Sequence, residues 1–137
     1  MDVLSLPFLR PFASWAPLLL RIGVGLVMAN HGWSKFQNIA GTTGFFESLG
    51  IPAPGVMAWV VTIIELVGGI CIVLGLATRL WAFLFVFVAI GAIVLVKMKD
   101  GFSSFELEFA LLMGALALAV GGPGAASLDR TLGVDRS

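Results

Sequence analysis

Four long apolar runs, separated by short polar or glycine- and proline-rich breaks, dominate the pattern of this chain. None of them alternates polar and apolar residues in the way that the ~10-residue strands of a membrane β-barrel do. A helix that crosses a bilayer needs about 20 predominantly apolar residues. The pattern therefore predicts four transmembrane helices, at about residues 17–36, 55–76, 80–96 and 105–120.

Proline and glycine mark where these helices begin and end. Pro17 suits the first turn of the first helix, and residues 121–124 (Gly-Gly-Pro-Gly) end the fourth. Only residues 77–79 separate the second helix from the third, so we expect these two to form an antiparallel hairpin. Residues 1–16 are too interrupted by proline to span, and no signal-peptide cleavage site follows them, so the first helix is expected to be retained.

The longest predicted connection is the first loop, from Gln37 to Pro54. It contains two adjacent phenylalanines, Phe45 and Phe46. Two interpretations stay open: a plain connecting loop, or one turn of helix on the membrane surface with both rings dipping into lipid.

The composition favours lipid as the solvent. Hydrophobic residues make up 59% of the 137 residues and charged residues 12%, the mean hydropathy is +1.06, and the formal charges cancel. So few charges cannot cover a water-soluble fold, which excludes an ordinary cytosolic enzyme, and the charge balance excludes a basic nucleic-acid binder. We expect an all-α integral membrane four-helix bundle, one domain over residues 1–137, with the lipid bilayer as partner and no nucleic acid.

The supply of reactive side chains is equally restrictive. Cys71 is the single cysteine, so the chain forms no internal disulfide and no Cys-x-x-Cys pair. His31 is the single histidine, so neither a His/Cys metal site nor a bis-histidine haem is expected. No residue is assigned as catalytic from the sequence.

Basic residues indicate the orientation. Four spans place both termini on one side of the membrane, and the basic residues on that side outnumber those on the other. By the positive-inside rule, both termini are predicted to be cytoplasmic. The terminal side carries Arg10, Arg21, Arg79, Arg130 and Arg136, and the opposite side carries Lys35, Lys97 and Lys99.

Glu65 is the most informative ionisable residue, because it lies near the middle of the second helix, where a charge is costly. Gly68 and Gly69 follow three and four residues later on the same face, which indicates a cavity or a close helix approach. A carboxyl group there serves either as a proton carrier or polar ligand contact, or as a structural hydrogen bond or ion pair that holds the bundle together.

The first helix carries Arg21, His31 and Lys35 within a stripe about 80° wide, shared with Gly25. His31 lies about 7 Å and Glu65 about 15 Å from the non-cytoplasmic face. Because helical side chains lean toward their own N-terminus, we predict a His31–Glu65 contact rather than an Arg21–Glu65 pair. The alternatives are that Arg21 and Lys35 snorkel to the interfaces and that His31 is structural.

The acidic residues at the start of the fourth helix leave a choice. Glu106 and Glu108 lie 200° apart, so only one can face the bundle interior, and the spacing does not decide which. Acids in a first turn also suit the helix dipole. We predict a polar cluster of His31, Lys35, Glu65 and one of these two glutamates.

The tail suggests a second polar contact. Asp129 follows the fourth helix on the side that also carries Arg21 and Arg79. We hypothesise that Asp129 pairs with one of these arginines and holds the tail against the bundle. The alternative is a solvated residue next to Arg130.

Several short motifs follow one another along the chain in a characteristic order. They are Arg21-Ile22-Gly23, His31-Gly32 with Lys35, Glu65-Leu66-Val67-Gly68-Gly69, Gly75-Leu76-Ala77-Thr78-Arg79, and Glu108-Phe109-Ala110. Their order and spacing, over about residues 18–132, resemble the DoxX family of small bacterial and archaeal membrane proteins. The resemblance implies a four-helix bundle in the cytoplasmic (inner) membrane and favours Glu108 over Glu106. The family takes its name from similarity to a subunit of a thiosulfate:quinone oxidoreductase.

Three functions follow as expectations. The first is a membrane subunit of a quinone-linked oxidoreductase or a redox or stress-response complex, with quinone as cofactor and a redox protein as partner. The second is a noncatalytic scaffold, for which small-residue faces such as that of Gly25 allow close helix contacts. The third is a small-molecule carrier. A second copy of the chain is a further candidate partner.

Overall fold

The structure, a computed structural model, describes residues 3–136, and this range is helical with no β-strand. The α-helices are α1 (Ala16–Gln37), α2 (Ile39–Ser48), α3 (Pro54–Leu74), α4 (Thr78–Ala92), α5 (Glu106–Gly121) and α6 (Leu128–Thr131). A 3-10 helix, Pro7–Trp15, leads directly into α1, and a π-helical segment, Ile93–Lys97, continues α4. Short 3-10 turns occupy Val3–Ser5, Met98–Asp100 and Phe102–Ser104.

The predicted spans coincide with α1, α3, α4 and α5 to within a few residues, and the all-α membrane bundle is confirmed. Three helical stretches are long and apolar enough to cross a membrane: Pro7–Gln37, Pro54–Leu74 and Thr78–Asp100. The 16 residues of α5 measure about 24 Å, which is shorter than a hydrocarbon core of about 30 Å. The fourth crossing therefore stays a prediction.

The core lies where α1, α3, α4 and α5 meet, and it is built from aliphatic and small side chains together with the ring of Phe85. Met28, Ile72 and Leu118 are fully buried, and Ala82 and Ala115 allow close helix packing. The outward faces carry large apolar side chains instead, as expected of a protein whose solvent is lipid. On α3 these exposed residues are Val56, Met57, Trp59, Val60, Ile63, Val67, Ile70 and Leu74.

Glycines bring α1 and α3 into backbone contact. A Cβ at Gly69 would lie 2.5 Å from Ala29 N and 2.7 Å from Gly25 O, and one at Gly25 would lie 2.7 Å from Gly69 O. A Cβ at Gly32 would overlap the backbone of α3 at Leu66. Gly68 instead faces α4, where its Cβ would lie 2.8 Å from Trp81 Cε3. Gly68 and Gly69 therefore make room for two different neighbours.

The first connection is more structured than either interpretation of the sequence. Its residues form α2, a ten-residue helix that Asn38 caps by accepting from Gly41 N–H at 3.0 Å. The expectation that both phenylalanines enter lipid is wrong for Phe46. Because α2 packs against α3, the Phe46 ring is buried, whereas Phe45 is 47% exposed.

Candidate functional site

Charged side chains from α1, α3, the π-helical segment and α5 gather at the end of the bundle opposite the termini. The group consists of two lysine–glutamate ion pairs and His31, which interacts electrostatically with both glutamates. We call it the outer cluster, and it comprises His31, Lys35, Glu65, Lys97 and Glu108.

The first ion pair joins α1 to α3. Lys35 Nζ lies 2.8 Å from Glu65 Oε2, and the Glu65 side chain is only 6% exposed. Thr62, one turn earlier, uses its buried hydroxyl to donate to Ala58 O at 2.7 Å. Gly32 sets the geometry, because its missing side chain lets α1 approach the backbone of α3 at Glu65.

The predicted His31–Glu65 contact is wrong in its partner, since the ion pair is made by Lys35. The lean of helical side chains toward the N-terminus acts on Lys35 as well as on His31. The lysine side chain is long enough to reach from the end of α1 back into the bundle. Arg21 lies at the other end and does not pair with Glu65, as the same argument predicted.

The second ion pair joins the π-helical segment to α5. Lys97 Nζ lies 2.5 Å from Glu108 Oε1. Glu108 is buried and Glu106 is exposed, so the inward residue is the one that the family resemblance favoured. From the sequence, Lys97 counted only as a basic residue on the side opposite the termini. Lys97 and Glu108 are separated by a short turn on the same side of the membrane, and this proximity could have predicted their ion pair.

His31 is half-buried on α1 and lies within electrostatic range of both Glu65 and Glu108. Within residues 3–136, its imidazole makes no side-chain hydrogen bond. Glu108 Oε2 is buried with no hydrogen-bond partner in the described part of the chain. The two lysines balance the charge of the two carboxylates.

A shallow cavity of about 390 Å³ borders the outer cluster at Lys35. It lies between the end of α1 and α2, with Asn38, Thr42 and Phe45 among its walls. Lys35, which is 26% exposed, is the member of the outer cluster that lines this cavity. Within the described range, no group of three or more His, Cys, Asp or Glu residues is arranged to hold a metal ion.

The opposite end of the bundle holds a second polar group, centred on Arg21. Arg21 is 0% exposed, so the interpretation that it snorkels to the interface is wrong. Its Nη2 donates to Ala126 O at 2.9 Å and to Ala125 O at 3.3 Å. Arg21 therefore holds the segment that follows α5, and it takes no part in the outer cluster.

Asp129 holds the tail to the bundle as hypothesised, but its partners are not arginines. Its carboxylate accepts from the N–H groups of Ala77 at 2.6 Å and Thr78 at 2.8 Å, which caps the start of α4. Arg79 pairs instead with Asp135 and donates to Ala119 O and Val120 O. Free N–H groups at a helix start are strong donors to a carboxylate, but they have no side-chain signature in the sequence.

Comparisons with known proteins agree with this architecture. The chain belongs to the DoxX family, whose sequence profile matches residues 16–98. It is 43% identical over 113 residues to "Putative oxidoreductase CatD" of Bacillus subtilis (strain 168), covering 82% of this chain and 83% of that protein. It is 34% identical to "Inner membrane protein YphA" of Escherichia coli (strain K12), covering 87% and 94%.

A mycobacterial relative is also named as a membrane protein. "Uncharacterized membrane protein Rv3486" of Mycobacterium tuberculosis (strain ATCC 25618 / H37Rv) is 35% identical over 131 residues, covering 84% of this chain and 80% of that protein. No solved structure matches the chain. Family membership and the membrane names of these relatives make this chain a DoxX-family membrane protein.

Proposed function

We propose that this protein is the membrane subunit of a quinone-linked oxidoreductase, and that the outer cluster holds the quinone ring and exchanges protons with it. One observation carries the proposal: two lysine–glutamate ion pairs lie at one end of an apolar bundle, and a half-buried histidine interacts electrostatically with both glutamates. Ionisable groups at such a depth are costly and usually functional. The oxidoreductase name of the Bacillus relative supports the same reaction class.

The residues of the outer cluster fit a quinone chemically. A bound quinone supplies two-electron redox chemistry at its paired ring oxygens. Lys35 and His31 are the donors that would hold those oxygens, with Lys35 bordering the open cavity. Glu65 and Glu108 are the groups that would hold or return protons, and Glu108 Oε2 is buried without a hydrogen-bond partner in the described range.

Electrons would come from a partner protein in this proposal. One cysteine and one histidine cannot form a thiol pair or a multi-ligand metal centre from this chain alone. We further propose four crossings with both termini in the cytoplasm, which places the outer cluster toward the opposite face of the membrane. A partner that delivers electrons would then act near that face or through the quinone.

The test is quinone binding by the purified protein, measured with short-chain benzoquinone and naphthoquinone analogues, together with electron transfer in membranes. Hydrogen bonds to charged groups contribute about 1.5–3 kcal/mol. We therefore expect Glu65→Gln and His31→Gln to weaken binding roughly tenfold or more. Glu106→Gln, on the exposed side of α5, is the matched control and should bind as the wild type does.

Two results would overturn the proposal. One is a wild-type protein that binds neither analogue. The other is a Glu65→Gln variant that matches the wild type both in binding and in membrane electron transfer.

A further inference from the structure

The 3-10 helix Pro7–Trp15 presents an apolar face that the rest of the described structure does not cover. A 3-10 helix has 3.0 residues per turn, so side chains three apart lie on one face. Leu9, Phe12 and Trp15 have this spacing, and Leu6 extends the row from the helix cap. These four side chains are 46–62% exposed, and no residue of the helix is buried. We call this row the N-terminal apolar face.

The position of this helix is fixed by its contacts with α1 and with the segment that follows α5. It runs into α1 without a loop, and Ser14 O accepts from Ala125 N–H at 3.4 Å. Gly124, in the same segment, lies against the Pro17 ring of α1. The helix therefore leaves the bundle at the end where the tail and the α3–α4 turn meet.

Length shows where this end lies relative to the bilayer. The 22 residues of α1 measure about 33 Å, enough to cross a hydrocarbon core of about 30 Å unaided. The nine residues of the 3-10 helix add about 18 Å, whereas the headgroup layer on each side is only about 6 Å thick. A helix that continued straight outward would carry Leu6 and Leu9 into water.

Charge at this end matches an anionic surface. All five arginines of the chain lie here, and all three lysines lie at the other end. The described acids at the arginine end are already engaged: Asp129 caps α4, and Asp135 pairs with Arg79. Arg10, Arg130 and Arg136 are exposed, so they are available to phosphate groups.

We propose that the 3-10 helix turns at its junction with α1 and lies in the headgroup region of the adjoining leaflet. The N-terminal apolar face then enters the acyl boundary, and the exposed arginines contact anionic lipid phosphates. Interfacial helices of this kind combine one apolar face with basic residues, and Trp15 and Phe12 are side chains that favour the interface. This inference is independent of the quinone proposal.

The test uses the full chain in bilayers, with a Cys71→Ser background and single spin labels at Leu9→Cys, Phe12→Cys, Arg10→Cys and Ala13→Cys. Collision with oxygen reports the membrane interior, and collision with a water-soluble nickel complex reports water. We expect oxygen to dominate at positions 9 and 12, at equal depth, and nickel to dominate at positions 10 and 13. Arg10 and Ala13 share a different face of the same helix, so they are the matched controls.

Two accessibility patterns would overturn the proposal. A steady fall in oxygen collision from position 12 to position 9 would mean that the helix projects into water. Low collision with both reagents at positions 9 and 12 would mean that protein, such as a second copy of the chain, covers the face.

Lipid composition tests the arginine contacts separately. We expect oxygen collision at position 12 to rise when phosphatidylglycerol is added to phosphatidylcholine, and Arg10→Gln to reduce that rise. An identical pattern in both lipids would contradict the role of the arginines. Phe12→Ser should leave the unfolding temperature of the bundle unchanged, and a large drop would show that Phe12 packs on protein.

Discussion

Glu65 and Glu108 have different surroundings, although each pairs with one lysine. The Glu65 side chain is 6% exposed and its partner Lys35 is 26% exposed, whereas the values for Glu108 and Lys97 are 11% and 39%. An ion pair that is closer to solvent is screened more and contributes less. Disruption of the Lys35–Glu65 pair should therefore lower the free energy of unfolding more than disruption of the Lys97–Glu108 pair.

We predict that Lys35→Met lowers the free energy of unfolding by about 2–3 kcal/mol. This is somewhat below the roughly 3–5 kcal/mol for breaking a fully buried pair, because Lys35 reaches solvent. Lys97→Met should lower the free energy of unfolding by a smaller amount. The double variant Lys35→Met/Glu65→Leu should recover much of the loss, since it leaves no unpaired buried charge. Denaturant unfolding in detergent checks all three, and equal losses for the two lysine variants would contradict the ranking.

Asp129 provides a second test at the residue scale. Asp129→Ala removes both acceptors from the Ala77 and Thr78 N–H groups. We expect a loss of about 2 kcal/mol or more, together with faster proteolysis of the tail. Arg130→Ala, at the neighbouring exposed position, should change stability by no more than about 0.5 kcal/mol. A tail that stays protected in Asp129→Ala would show that Arg21 and Arg79 hold it alone.

At the scale of elements, the contact between α1 and α3 organises the molecule. It depends on three glycines, Gly25, Gly32 and Gly69, whose missing side chains let the two backbones touch. The same contact brings Lys35 to Glu65. The close helix contact that the small-residue face of Gly25 allows is thus made between α1 and α3 of this chain.

Gly69→Ala tests this contact. The added methyl group would lie 2.5 Å from Ala29 N and 2.7 Å from Gly25 O, and backbone cannot move aside as a flexible side chain can. We expect a loss of about 1–3 kcal/mol, as for other overpacked cores, and weaker Lys35–Glu65 pairing. Gly23→Ala, on the facing helix α1, is the control, because nothing lies within 4 Å of its Cβ. Thermal unfolding of both variants measures the difference, and equal unfolding temperatures would contradict the contact.

At the scale of the whole molecule, both ends of the described chain meet at the arginine end. Ala125 donates to Ser14, and Arg79, at the start of α4, donates to the carbonyls that end α5. We therefore predict an even number of crossings, even though α5 is short. The positive-inside rule then predicts that this end lies in the cytoplasm.

The orientation is testable with fusions to the C-terminus. We expect a green fluorescent protein fused there to fluoresce and an alkaline phosphatase fused there to be inactive, because both report the compartment that they reach. The reverse result would mean either three crossings or an inverted bundle. Labelling of a cysteine introduced at Lys99, in the turn before α5, would separate these two cases.

The sequence predicted the features that follow from solvent and periodicity. The apolar runs located α1, α3, α4 and α5, and the unusual depth of Glu65 marked the outer cluster. It missed Lys97, because the π-helical segment changes which residues face α5. It also missed the caps, since the N–H groups of Ala77 and Thr78 have no side-chain signature. Periodicity could not choose between Glu106 and Glu108, because both lie on faces that are small enough to pack.

The cap that Asp129 places on α4 has a consequence for biosynthesis. Ala77 and Asp129 are 52 residues apart in the chain, so the start of α4 leaves the ribosome well before its capping residue does. The α3–α4 hairpin must wait in the translocon or the bilayer with unsatisfied amides at its turn. Release of Asp129 from the ribosome is then the step that completes the cap, and a chain truncated before residue 129 leaves the α3–α4 turn uncapped.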